Sequence, residues 1–381
     1  MATVAIAVMA ACGFDPGTLP GTDGPLDDGR GTDALSCAAI DVAAGGDHTC
    51  AISGDGSLYC WGRGDDGQIG IDPLSHRCVA NTIHCQKTPA KLALPPTAAV
   101  GLGGFHTCST SGEQAYCWGK NSTAQYGNGT IVGSTRPTPI DQRTGATAFD
   151  GGTGHGCSLV GSILSCSGAN GEGQVGNMSI VQQATAVAVK NDVASFSLGT
   201  TTSCAVDTAK SLYCWGRNAY KTIDQTGMIR TLPTLVAGIT DVDQVAVGAD
   251  HVCAVTGGVV KCWGLNSAGQ VGNGGTNPTS QPQPITTVTG IANAVEVVAS
   301  RNHTCARTAA GDVYCFGDGY TPTPALVASG ATKITGGSNH DCAVFGDGTV
   351  RCWGDQTYGQ LGNNVDSASR STTPQPAVLC P

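Results

Sequence analysis

The amino-acid sequence predicts an all-β protein: a seven-bladed β-propeller with about four-stranded blades, its ring closed by a terminal disulfide. Three observations carry this expectation: a phrase repeated seven times, cysteines set symmetrically about turns, and strands apolar on both faces. The phrase opens with His48-Thr49-Cys50 and closes with Cys60-Trp61-Gly62. Its other copies run from His106 to Gly119, His155 to Gly168, Thr202 to Gly216, His251 to Gly264, His303 to Gly317 and His340 to Gly354. Successive first cysteines lie 58, 49, 47, 49, 52 and 37 residues apart. A unit of about fifty residues is too short for a core of its own, so the copies must bury surface against one another.

The two cysteines of each copy stand 9 or 10 positions apart and bracket a turn, such as Ser53-Gly54-Asp55-Gly56 or Phe345-Gly346-Asp347-Gly348. Gly and Asp tolerate the positive φ that tight hairpins require. Cys50 and Cys60 are equidistant from Asp55, so an antiparallel hairpin sets them opposite each other, close enough for a disulfide. In Leu58-Tyr59-Cys60-Trp61, Leu and Cys point one way and Tyr and Trp the other, and neither face is strongly polar. With no helical pattern available to cover them, such sheets must stack on further sheets. Seven units of this length lie within the propeller range.

Several stretches resemble the repeat of the regulator-of-chromosome-condensation propellers. They are Val42 to Ile52 (with Gly45-Gly46-Asp47-His48 at its centre), Tyr59-Cys60-Trp61-Gly62 and Gly67-Gln68-Ile69-Gly70. The last element returns as Gly173-Gln174-Val175-Gly176, Gly269-Gln270-Val271-Gly272 and Gly359-Gln360-Leu361-Gly362, and in weaker form as Ala124-Gln125-Tyr126-Gly127. The resemblance spans about residues 38 to 379 and implies the propeller fold. It says little about function, because such propellers include exchange factors, light receptors and secreted inhibitors. Departures are informative. Thr202 replaces the motif His in the fourth copy, which also lacks the Gly-Gln element; Ser167 and Phe316 replace Trp in the third and sixth. No functional residue is therefore repeated sevenfold, and the repeated residues are scaffold.

Of the 19 cysteines, fourteen form the seven hairpin pairs: Cys50–Cys60, Cys108–Cys117, Cys157–Cys166, Cys204–Cys214, Cys253–Cys262, Cys305–Cys315 and Cys342–Cys352. Cys78 and Cys85 lie together in an insertion of the first copy, Cys37 and Cys380 flank the array, and Cys12 is left over. So many paired cysteines imply an oxidising compartment. A Cys37–Cys380 bond would stand in for the missing covalent link between last and first blades. The chain-entropy model assigns such a long loop about 5 kcal/mol.

Residues 1–11 form a short apolar run read as a signal peptide, too short for a spanning helix. Small residues before Cys12 resemble the bacterial lipobox, which makes Cys12 a lipidation site; the alternative is a plain secretory signal whose apolar run contains a cysteine. Residues 12–36 are rich in Gly, Pro, Asp and Thr and read as a lipid-anchored flexible tether, with a reach of about 25–30 Å. Residues 37–381 are the propeller.

The net charge is −9 with only 12% charged residues. No basic stripe exists, so nucleic acid is not expected as a partner. The six motif histidines and five tryptophans occupy equivalent positions and read as structural, each His bridging a turn to a neighbouring backbone group. The insertion places His76, Cys78, His84 and Cys85 within reach of a soft metal. The preferred reading is a disulfide-closed loop, with His76, Arg77, His84 and Lys87 as a partner-contact surface. No metal or cofactor is assigned, and no nucleophile elbow, phosphate loop or zinc-protease helix occurs.

The expected function is a surface-tethered, non-catalytic binding module of the bacterial cell envelope. It would be a monomer presenting face loops, residues 71–87 and 120–136 among them, to a protein or glycan, and touching the membrane only through its anchor. The alternatives are a secreted inhibitor of an extracellular enzyme and a carbohydrate-active enzyme with carboxylates at the central channel. Denatured, unreduced protein should show at most one reactive thiol among its 19 cysteines. Abundant free thiols, or zinc bound in place of the disulfides, would overturn both topology and compartment.

Overall fold

Each repeat folds about its cysteine hairpin at the anticipated register. The computed structural model describes residues 37–72, 76–79, 82–277, 279 and 281–379. Cys50 faces Cys60, Cys108 faces Cys117, and so on through Cys342 and Cys352, at Cα separations of 4.0–4.1 Å. These are the close, non-hydrogen-bonded pairs of an antiparallel ladder, and all seven are disulfides. Cys78 and Cys85 form an eighth bond. Cys37 is disulfide-bonded as well. Its expected partner Cys380 lies outside the described residues, as do the expected signal peptide, tether and lipidated Cys12.

Seven sheets result, their four main strands running from inner to outer in sequence order. Blade 1 is Ala39–Ala44, His48–Ser53, Leu58–Arg63 and Ile83–Lys91, with the insertion adding a fifth strand, His76–Cys78. Blade 2 begins at Thr97, blade 3 at Ala148, blade 4 at Val193, blade 5 at Val242 and blade 6 at Ala294. Blade 7 is Ala331–Gly336, His340–Phe345, Val350–Gln356 and Ser367–Ala377. Among the described residues no strand is exchanged between first and last blades. The seam closes instead by packing of Ala39, Val42, Ala51 and Trp61 on Val344, Val350, Leu361 and Leu379, and by Ala39 N donating to Gly348 O at 2.8 Å. Lys333 also pairs with Asp41 across it.

The core is a set of layers between blades. One face of blade 1 offers its cystine with Ile52 and Leu58, against which Trp118 of blade 2 packs. The other face presents Tyr59 and Trp61 to blade 7. This is the alternation expected from the sequence, and fully burying each such side chain stabilises by about 1.5–3 kcal/mol.

A polar relay runs through these layers. His48 Nε2 bonds Thr107 Oγ1 of blade 2 at 2.8 Å. Thr107 in turn donates to the Gln68 carbonyl at 3.0 Å, and Trp118 Nε1 donates to the same oxygen at 2.9 Å. Five of the six motif histidines, all but His106, thus bridge to a side chain of the next blade, not to the neighbouring backbone group expected from sequence. The reason is chemical: the hydroxyl has given its proton to a carbonyl, so it accepts from the imidazole N–H. Equivalent links join His155 to Ser203, His251 to Thr304 and, across the seam, His340 to Thr49. Thr49 and Trp61 both donate to Gln360 O. The final glycine of the Gly-Gln element belongs to this contact, since a Cβ on Gly70 would lie 2.8 Å from Trp118 Nε1.

Where the sequence departs from the motif, the partner departs with it. Thr202 replaces His in blade 4, and Val252 replaces the hydroxyl in blade 5; Trp263 donates to Thr222 O in place of a glutamine carbonyl. Between blades 2 and 3, Gly156 and Ser167 replace Thr and Trp. The vacated volume is filled by Arg143, delivered by a short 3-10 turn, which donates to Tyr126 O, Gly156 O and Ser167 Oγ at 2.8, 3.1 and 2.7 Å. Between blades 6 and 7, His303 meets Asp341 at 2.8 Å.

Burial pushes His48, His106 and His251 down to about 3 and His155 and His340 to about 4. Unfolded histidine takes its proton near 6.5. Below that pH the unfolded chain binds more protons than the folded one, so acid erodes stability as pH falls toward 3. Replacing Thr49 by Val strands the His340 N–H inside the seam and should lower stability by about 1–3 kcal/mol in urea unfolding at neutral pH. An unchanged midpoint would show that the hydroxyl does not hold the ring together.

Candidate functional site: the channel mouth and the arms around it

The turns joining inner and second strands converge on the propeller axis. Gly45, Gly103, Gly152, Gly199, Gly248, Ser300 and Gly337 occupy equivalent places there, around a depression of about 520 Å³. A Cβ on Gly45 would lie 2.4 Å from Gly103 O, and one on Gly199 would lie 2.1 Å from Gly248 O. The ring closes to this radius only because side chains are missing, so the mouth is walled mainly by backbone.

No side chain that reaches the mouth is repeated in all seven blades. They include Asp47, Phe105, Asp150, Arg301, Asp355 and Tyr358. Asp150 stands opposite Cys157 on the inner strand of blade 3. Ser197 and Thr335 hold the same position in blades 4 and 7, where their hydroxyls accept from Val247 N and Ala44 N of the next blade. Asp150 does this with a carboxylate: Leu198 N donates at 2.7 Å and Gly151 N at 2.8 Å. Burial outweighs these two donors and pushes its pKa up to about 7. Asp47 is raised too, chiefly by burial and against the pull of Arg63, 3.5 Å away.

Arg63 connects the mouth to the insertion. It contacts Asp65 at 3.3 Å and lies over the rings of Tyr358 and Phe105, 5.2 and 5.8 Å from their centroids. Asp65 in turn accepts from His84 N at 2.8 Å. Of the four anticipated contact residues, His76 and Arg77 are exposed and His84 is half-buried. Lys87 is committed to Asp366 across the seam at 2.6 Å. The Cys78–Cys85 bond removes the thiolates a soft metal would need. The same holds for His303, Cys305 and Asp341, whose ligand atoms lie within 4.8 Å of one another, because Cys305 is bonded to Cys315.

The segments between third and outer strands, here called arms, lie on the same face as the mouth: Arg63 N, where the first arm begins, donates to Asp47 O. In blades 2 to 5 a buried asparagine clamps the arm from beneath. Asn121 donates to Thr130 O and Val132 O, Asn170 to Ser179 O and Val181 O, Asn218 to Asp224 O and Asn266 to Gly275 O. Sequence reasoning missed these residues and Asp150. A signal was available for the clamps, since Asn stands two positions after the motif glycine in those four copies. Asp150 shows only as an odd residue among Ala43, Gly101 and Ala246 at its aligned position.

Models of the Regulator of chromosome condensation (RCC1) repeat match residues 39–68 and 331–360 in one form and 55–109 and 258–307 in another. The mouse (Mus musculus) E3 ubiquitin-protein ligase HERC2 is 26% identical over 277 residues, which is 71% of this chain and 5% of HERC2. The chain therefore spans a small part of that relative. The crystal structure of human WBSCR16 matches with a TM-score of 0.73 at 17% identity, over 84% of this chain and 93% of that one. Prp20p from Saccharomyces cerevisiae, which has binding properties toward Gsp1p and histones, matches at 0.72 with 19% identity, over 91% and 89%. These two likenesses establish the fold.

The carboxyl of Asp150 supplies a test of the mouth. Its folded pKa lies above the unfolded value near 3.9, so its contribution is fully present in acid and is lost as pH rises toward 7. The stability of Asp150→Asn relative to the parent chain should therefore increase from pH 4 to 7, read by urea midpoints. A pH-independent difference would mean that Asp150 titrates like an ordinary carboxylate.

Proposed function

Because the chain carries regulator of chromosome condensation repeats in a seven-bladed ring, we propose that it is a binding module whose mouth-and-arm face engages a protein or glycan at the cell surface. One observation carries this reading. The repeated polar residues are spent on joining blades, as with His48, Thr107 and Trp118. Chemistry for recognition remains in residues that occur once: Arg301, Phe105 and Tyr358 at the mouth, His76 and Arg77 on the insertion. Cross-linked blades hold these groups in place before a partner arrives, which limits the entropy lost on binding.

In this proposal residues 1–11 direct export, Cys12 carries the lipid and residues 12–36 tether residues 37–381. Ala38 O accepts from Gly54 N, which puts the start of the propeller beside the second-to-third hairpin turn, on the face opposite the mouth. A tether leaving there keeps mouth and arms clear of the anchoring membrane. A second reading is a carbohydrate-active enzyme, favoured by Asp150 alone: a channel carboxyl with a pKa of about 7 suits a general acid.

Immobilised chain should retain a discrete partner from envelope extracts, and Arg301→Ala or Arg77→Ala should release it without lowering thermal stability. Fatty-acid incorporation should vanish in Cys12→Ala. Retention identical to bare resin would end the binding proposal. Glycan turnover abolished by Asp150→Asn in a stably folded variant would transfer support to the enzyme.

A further inference from the structure

The mouth-side face is divided in character. The arms of blades 2, 3 and 4 carry Ile131 and Val132, then Met178, Ile180 and Val181, then Met228 and Ile229. These side chains are 40–75% exposed. In the arms of the other four blades only Val79 and Val365 among the described residues are comparable, at 40% and 39%. Charge follows the same division. Residues 120–133, 169–182 and 217–229 hold three Lys or Arg and two acids. The arms 63–82, 265–282, 318–324 and 355–366 hold two bases and six acids. In a chain of net charge −9, the apolar side chains and the excess positive charge share one arc of the rim.

This arc is built rigidly. Gly129 N donates to Ala184 O and Met178 N to Thr231 O, so the arms of blades 2 and 3 are each bonded to the outer strand of the next blade and the three arms are neighbours. The clamps Asn121 and Asn170 hold the carbonyls of Val132 and Val181 themselves. Exposed aliphatic groups on an ordered backbone, beside Lys120 and Lys221, form a preorganised amphipathic surface of the kind that marks interaction sites.

We infer that the arc formed by the arms of blades 2 to 4 is a docking surface for an acidic polypeptide segment bearing aliphatic side chains. Charge complementarity selects this occupant. A flat anionic membrane large enough to meet the whole face would also press on its acidic half, where Asp318, Asp355 and Asp366 lie, whereas a polypeptide covers three blades alone. The inference rests on the binding-module reading and names the chemistry of its partner.

The test titrates the full chain with fluorescein-labelled peptides of alternating Glu and Leu, a Lys/Leu counterpart, and phosphatidylglycerol vesicles. The Glu/Leu peptide should bind, more weakly as salt rises. The double variant Ile180→Ser, Val181→Ser and the single variant Lys221→Glu should each weaken it by about tenfold. Val365→Ser, on the other side of the rim, should leave it unchanged. All four positions are exposed, and unchanged thermal melting confirms folding. Equal binding of the Lys/Leu peptide, indifference to the arc variants, or vesicle binding through those residues in place of peptide binding would overturn the inference. If an envelope partner is still retained through Arg301 or Arg77 while the Glu/Leu peptide fails to bind, the arc is refuted and the binding module stands.

Discussion

The contact on which the structure depends is the hydroxyl set between two blades, of which Thr49 and Thr107 are examples. It takes a proton from the histidine of one blade and gives its own to a glutamine carbonyl, an oxygen that also receives the indole N–H of the other. Four buried polar groups are satisfied at once, deep in an apolar layer where an unpaired group would be costly. The cystines stiffen each blade from within, and this contact sets the spacing and angle between blades. Its chemistry also explains the exceptions: Thr202 with Val252 removes donor and acceptor together, the Gly156 and Ser167 vacancy is filled by one guanidinium, and Phe316 replaces an indole where Gln270 O still accepts from Thr304. Loss of the hydroxyl alone would leave an orphaned N–H.

Legibility from the sequence followed the range of the interactions. The hairpins could be read because both cysteines and their turn lie within a dozen residues, where symmetry about Asp55 fixes register. The two-faced blades could be read from the alternation of Leu58, Tyr59, Cys60 and Trp61. The partner of His48 could not, because Thr107 is 59 positions away and the pairing exists only once blades stack. Asp150 was hidden for a related reason. Its inner-strand position tolerates Ala, Gly, Ser, Thr and Val in other copies, and only closure of the ring turns that position toward the next blade and the channel. Exposure of Met178 and Val181 was equally unreadable, since apolar residues near turns are usually buried.

A division of labour between repeated and unrepeated residues follows. Sevenfold recurrence yields a frame with little freedom to acquire chemistry, because altering one member obliges a neighbour to change. The turn tips, arms and insertion carry no such obligation, and there the blades differ most: a cation above two aromatic rings at Arg63, a carboxyl of raised pKa at Asp150, aliphatic groups on three adjacent arms.

The absence of strand exchange at the seam has a consequence for how the chain could be rearranged. Every blade is contiguous, and the bonds between blades 7 and 1 repeat those between blades 1 and 2. The seam is not set apart from the junction of blades 1 and 2 by its non-covalent contacts. A circular permutant opened at the linker near residues 191–192, with the original ends fused, would meet the same neighbours in the same order. The propeller thus tolerates a break at its seam because that joint is held by the same side-chain contacts as its neighbour.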